Sequence, residues 1–254
     1  MRIASPGHAV FAATLIALGL LSLFTGDFAS IWQPVPKGMP ARELLIYVSA
    51  FISLACGIGL LWQRLAAVAA RVLVVYVLLW LLAFKARFIV SAPATAVSYE
   101  TNGETAVILA AAWMLYAWFA VDWDKQRVAF ATGDRGVRIA RVIYGLAMIA
   151  FGVAHFAYAK LTASLVPAWL PSQMTWAYLT GATYIAAGIA VLINKYARVA
   201  AALSALQIGL FTLLVWVPRV FAGNLEASQW NEFVVSWALT AAAWVVADSY
   251  RNRT

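Results

Sequence analysis

Near neutral pH an imidazole can shuttle a proton, donate to a quinone carbonyl or bind a metal, which makes His155 the first residue to weigh. It stands about one helical turn before the end of an apolar run, in the segment GVAHFAYAK. Lys160, Trp169, Trp176 and Tyr178 follow it, and later Trp216, Arg219, Trp230, Asn231 and Glu232, all near the ends of further apolar runs. If those runs cross a bilayer in alternation, these ends converge into one mouth rich in aromatic rings and polar groups. Plainer roles stand beside this one. His155 also suits packing inside a helix, and Glu232 suits the dipole at a helix start. Arg219 suits either an ion pair with Glu232 or a reach to lipid headgroups. Glu100 and Glu104, four apart on one helical face, follow a run that ends in Lys85 and Arg87, which points to charge pairing between two helix ends.

The elements that must hold these groups are membrane spans. Of 254 residues, 65% are hydrophobic and 11% charged, and mean hydropathy is +0.85, too apolar for a globule in water. Apolar runs at 8–26, 43–62, 65–90, 104–121, 139–158, 174–193, 197–217 and 231–248 each approach the ~20 residues that cross a ~30 Å hydrocarbon core. The expectation is an all-α integral membrane protein with eight transmembrane helices. A β-barrel would alternate in segments of roughly ten residues, and this sequence does not. Arg2 ahead of an apolar stretch also describes a signal peptide, but FTGDFASIW offers no clean small-x-small site, so the first run is kept as a helix. Most of the twelve tryptophans lie at run ends, as an interfacial belt places them. The single cysteine, Cys56, excludes a disulfide or a dithiol couple within one chain.

The net charge of +8 is not gathered on a soluble face with stacking aromatics, so nucleic acid is not an expected partner. Sidedness explains it better. With the N-terminus cytoplasmic, twelve Lys and Arg fall inside and six outside, which predicts both termini in the cytoplasm.

The chain also repeats itself at an offset of 131 residues. Pro36 and Pro40 of WQPVPKGMPAR return as Pro167 and Pro171 of SLVPAWLPSQM, Tyr47 returns as Tyr178, Gly57 as Gly188, and AAAW at 110–113 as AAAW at 241–244. An even number of helices per unit puts both copies into the membrane the same way, so two parallel four-helix repeats are expected, 1–127 and 128–254, joined by the polar stretch 122–138. Two prolines four apart cannot continue a helix, so the 162–171 segment is expected to roof the mouth between the fifth and sixth spans.

The second half, through GVAHFAYAKLTASLVPAWLPSQMTWAYLTGATYIAAGIAVL, ARVAA and LVWVPRVFAG, resembles the DoxX family of bacterial membrane proteins. The usual member of that family is a single four-helix unit, so the first half reads as a diverged second copy. DoxX-like sequences carry histidines where this chain has Tyr184 and Trp216, departures that argue against a metal or haem carried over from relatives. The resemblance implies a bacterial inner-membrane protein that acts as an anchor or quinone-facing subunit of a redox assembly.

No Cys-x-x-Cys, Walker loop, dinucleotide-binding glycine pattern, nucleophile elbow or helical histidine pair occurs. Redox work would therefore need a bound quinone or a partner protein that carries the cofactor, with none built in. The ligand-binding residues expected are His155, Lys160, Trp169, Trp176, Tyr178, Tyr184, Trp216, Arg219 and Glu232. A different class of function fits the same composition: a non-enzymatic scaffold that binds or transports a lipid or small apolar molecule, or a structural subunit of a larger membrane complex.

Overall fold

The computed structural model describes residues 4–29, 32–223 and 226–251. Eight long helices account for most of them: α1 (Pro6–Thr25), α2 (Arg42–Leu61), α3 (Ala66–Ser91), α4 (Ala96–Phe119), α5 (Gly133–Ala157), α6 (Gln173–Leu192), α7 (Ala197–Ala222) and α8 (Ala227–Asp248). No strand occurs among the described residues. Six of the helices, all but α4 and α8, are long and apolar enough to cross a membrane. Their outward faces carry large apolar side chains such as Leu79, Leu82 and Leu203, a surface suited to hydrocarbon and not to water.

The local signals are ordinary ones. Ser5 caps α1 by accepting from the His8 amide, Pro6 opens it where an amide would be orphaned anyway, and Gly26 closes it in the left-handed region. Three helices run five or more residues beyond the expected spans. α4 begins at Ala96, ahead of residue 104, α5 at Gly133, ahead of 139, and α7 continues to Ala222, past 217. In each case polar or proline residues lower the hydropathy without breaking the backbone hydrogen-bond ladder.

α7 keeps its proline because it widens just before it. Residues Thr212–Trp216 form a π-helical turn, and Pro218 follows in the resumed α-helix. α3 contains the same device at Leu81–Lys85 without a proline, and there the Asn102 side-chain amide donates to the Lys85 carbonyl at 2.9 Å. The two π turns start 131 residues apart, as do α2 and α6, α3 and α7, and α4 and α8.

Close packing repeats in the same way. A Cβ added to Gly57 would come within 2.7 Å of the Ala12 carbonyl oxygen, and one added to Gly188 within 2.5 Å of the Gly145 carbonyl oxygen, so α2 lies on α1 as α6 lies on α5. Gly19 against Ala50 and Leu54, and Gly152 against Gly181 and Ile185, make the matching contact from the other helix. α1 also packs on α8, α5 on α4, and α4 on α8, so each half lends its first helix to the other half's last. The Gly7 amide donates to Asp248 Oδ2 at 3.2 Å across the α1–α8 seam.

The polar join between halves is ordered. Asp124, on the short helix Asp122–Arg127, is fully buried and accepts from Arg71 Nε at 2.8 Å, the Tyr116 hydroxyl at 2.9 Å and the Val121 amide at 3.1 Å. Burial by itself would raise its pKa, but these donors, Arg71 first, outweigh it and hold the carboxyl below the usual range.

Candidate functional site

The second half leaves an open-sided cavity of about 730 Å3 between α5, α6, α7 and the short helix Ala159–Leu165. That volume falls within the range of small-molecule sites. Its α6 wall follows from helical periodicity: Trp176, Leu179, Thr180, Thr183, Tyr184 and Ala187 recur at spacings of three and four, so one face of the helix supplies all of them. α7 contributes Leu203, Ser204, Gln207, Phe211 and Val215, and α5 contributes His155. Thr162, Leu165, Pro167, Trp169 and Leu170 cover it, so the proline-bearing segment does roof an opening, beginning as a helix and continuing without one from Val166.

The wall is apolar with a few placed polar groups. His155 Nδ1 donates to the Phe151 carbonyl at 2.7 Å, because a carbonyl can only accept. In the neutral ring Nε2 is then an acceptor. The expectation that His155 donates to a quinone carbonyl is corrected by this contact, which has already engaged the ring's one N–H. The imidazole stands edge-on to Tyr184 at 5.2 Å between centroids. On the far wall Thr183 Oγ1 donates to Gln207 Oε1 at 2.6 Å, and Gln207 Nε2 donates to the Thr180 carbonyl at 3.1 Å, which locks the amide in one orientation. Ser204, on the lining, shares a hydrogen bond of 2.7 Å with Tyr144 behind it.

Four of the expected ligand-binding residues, His155, Trp169, Trp176 and Tyr184, line this one cavity. Five do not. Tyr178 lies two positions after Trp176, which turns it to the outer face of α6, where it stacks on Phe156 at 5.7 Å. Lys160 lies two before Thr162 on its short helix and is exposed for the same reason. Trp216 is buried, but it falls at the end of the π turn, where the extra residue shifts the helix phase so that Val215 faces the cavity instead. The Arg219 guanidinium covers the Trp216 ring at 4.9 Å, and Glu232 is exposed on α8. No ion pair joins Arg219 to Glu232 among the described residues. The single mouth expected of His155, Trp216, Arg219 and Glu232 thus divides, with His155 alone on the cavity.

A domain of unknown function, DUF8561, matches residues 144–247. That stretch begins inside α5 and ends inside α8, so it contains the whole cavity wall, from His155 to Val215. No curated protein and no solved structure matches the chain.

The polar residues Thr180, Thr183 and Gln207 were not singled out from sequence. Gln207 carried a usable signal, since an uncharged amide in the middle of an apolar span must find partners or a polar cavity. In the first half, Lys85 and Glu104 do pair, at 3.5 Å, with Lys85 buried, beside a smaller cavity of about 340 Å3 lined by Pro34, Phe88, Val97, Ser98 and Thr101.

Proposed function

We propose that the chain is a multi-pass protein of the bacterial inner membrane, related to the DoxX family, whose second half holds a quinone-type ring as part of a redox assembly. Its eight long helices are read as eight spans in two parallel four-helix repeats with both termini cytoplasmic. Support for the repeat comes from the shared offset of helices and π turns. The observation that carries the functional reading is the cavity itself: an apolar room of ring-binding size, walled by aromatic side chains, with one imidazole nitrogen and one fixed amide at its polar edge. Acyl chains of lipid are the competing occupant, because Leu203, Leu206 and Leu210 extend the same wall to the outer surface.

The test is extraction of the purified protein followed by mass spectrometry of the organic phase. Quinone at about one per chain is expected. Lipid alone would favour the scaffold reading, in which the cavity serves a lipid or other apolar cargo. Reporter fusions near residues 38, 97, 168 and 226 are expected to read as periplasmic, and those after 62, 130 and 254 as cytoplasmic; a periplasmic signal at 130 would invert the site.

A further inference from the structure

The first half contains an occupant for the space that stands open in the second. Gln33 Nε2 donates to Ser49 Oγ at 2.5 Å and to the Tyr76 hydroxyl at 2.6 Å, and the neighbouring Trp32 ring stands edge-on to Tyr76 at 5.7 Å and Trp80 at 6.4 Å. The residues 131 positions after Ser49, Tyr76 and Trp80 are Thr180, Gln207 and Phe211, and all three line the open cavity. The chain's own loop therefore shows what this architecture holds: a flat ring with a hydrogen-bonding group beside it.

The division of labour in that plug is informative. The Trp32 indole N–H is buried with no acceptor among the described residues, so the ring is held by packing, while the adjoining amide makes the polar contacts. In both of those contacts the plug donates and the wall accepts. The second-half wall also offers acceptors. The Thr180 hydroxyl uses its own proton on the Trp176 carbonyl at 2.8 Å, which leaves its oxygen lone pairs, and His155 uses its Nδ1 proton on Phe151, which leaves Nε2.

We infer that the second-half ligand is an aromatic ring bearing a hydroxyl donor, a phenol or the reduced form of a quinone, seated with its ring against Phe211 and its O–H toward Thr180 or His155. This deepens the proposed function and rests on its reading of the cavity as a ring site. A ring without a donor leaves those acceptors buried and unmet, and an acyl chain supplies neither the ring nor the donor.

The experiment is equilibrium dialysis of 2-naphthol, naphthalene and oleate against the full-length protein in lipid nanodiscs, with empty nanodiscs as reference. Specific uptake of 2-naphthol is expected, roughly three- to tenfold tighter than naphthalene, as one net hydrogen bond supplies. Thr180→Val combined with His155→Phe is expected to erase that preference while naphthalene still binds, and the retained naphthalene site shows that the variant is folded. Equal affinity for the two rings would overturn the donor inference and leave the ring reading standing. Uptake of oleate alone, or of none of the three, would remove the ring reading and this inference with it.

Discussion

Between α2 and α3 the protein fills its own interior; between α6 and α7, at positions 131 residues later, it leaves a room. The contrast is sharpest in two tryptophans of the corresponding loops. Trp32 is 1% exposed and closes the first-half space, whereas Trp169 is 71% exposed and lies over the second-half opening. Polarity is exchanged as well. Where the first half buries Lys85 against Glu104, the second has Trp216 and Val235. Helices set at the same 131-residue offset thus frame two different interiors, the first packed and holding a buried ion pair, the second apolar and open. On the proposed reading of two repeats, the packed half also braces the open one, through α1 on α8 and α5 on α4.

Removing the plug is the strongest way to break this contrast. Trp32→Ala is expected to cost about 3–5 kcal/mol in thermal or chemical unfolding, as large buried aromatics do, and added indole should restore part of the loss by entering the new cavity. Trp169→Ala is expected to stay within about 0.5 kcal/mol of wild type, as exposed positions do. Equal losses for the two variants would mean that the second-half opening is packed as tightly as the first.

The buried pair gives the next largest effect. Lys85→Met leaves Glu104 without its cation and is expected to cost about 3 kcal/mol, the low end for a broken buried pair because 24% of the Glu104 side chain is still exposed. Lys85→Met with Glu104→Val makes the first half resemble the second at these positions, and most of the loss should return. If the double variant is no more stable than the single one, the pair does more than neutralise its own charge.

A smaller effect comes from the polar join between the halves. Asp124→Asn is expected to cost about 1–3 kcal/mol near neutral pH, through the weakened Arg71 and Tyr116 contacts. Since the Asp124 carboxyl is held below its ordinary value, its contribution is complete above the unfolded value of about 3.9 and is lost as pH falls through the folded one. The gap between wild type and Asp124→Asn should thus be flat from about pH 5 upward and narrow on acidification. A gap that widened in acid would contradict the assigned network.

Much of the helical plan was legible because apolar runs and a 131-residue offset survive in composition, even where Ser98, Glu100, Asn102 and Glu104 hide the start of α4 from a hydropathy count. The site was legible in part. His155, Trp169, Trp176 and Tyr184 share the cavity, but Tyr178 and Lys160 depend on helix phase at single-residue resolution, and Trp216 depends on a π turn that sequence periodicity does not announce. The plug was the least visible feature. Nothing in WQPVPKGMPAR distinguishes a tryptophan that turns inward from one that, like Trp169, stays at the rim; the difference lies in the partners that Ser49 and Tyr76 offer to Gln33.

The asymmetry of the halves can be read most directly from the anomalous signal of bromine in crystals of the full-length protein grown with 6-bromo-2-naphthol. A single bromine peak is expected, inside the second-half cavity between α6 and α7 near Gln207 and His155, with a further peak in the first half only when Trp32 is replaced by Ala. A peak in the first half of the wild-type protein, or none within the second-half cavity, would contradict the account.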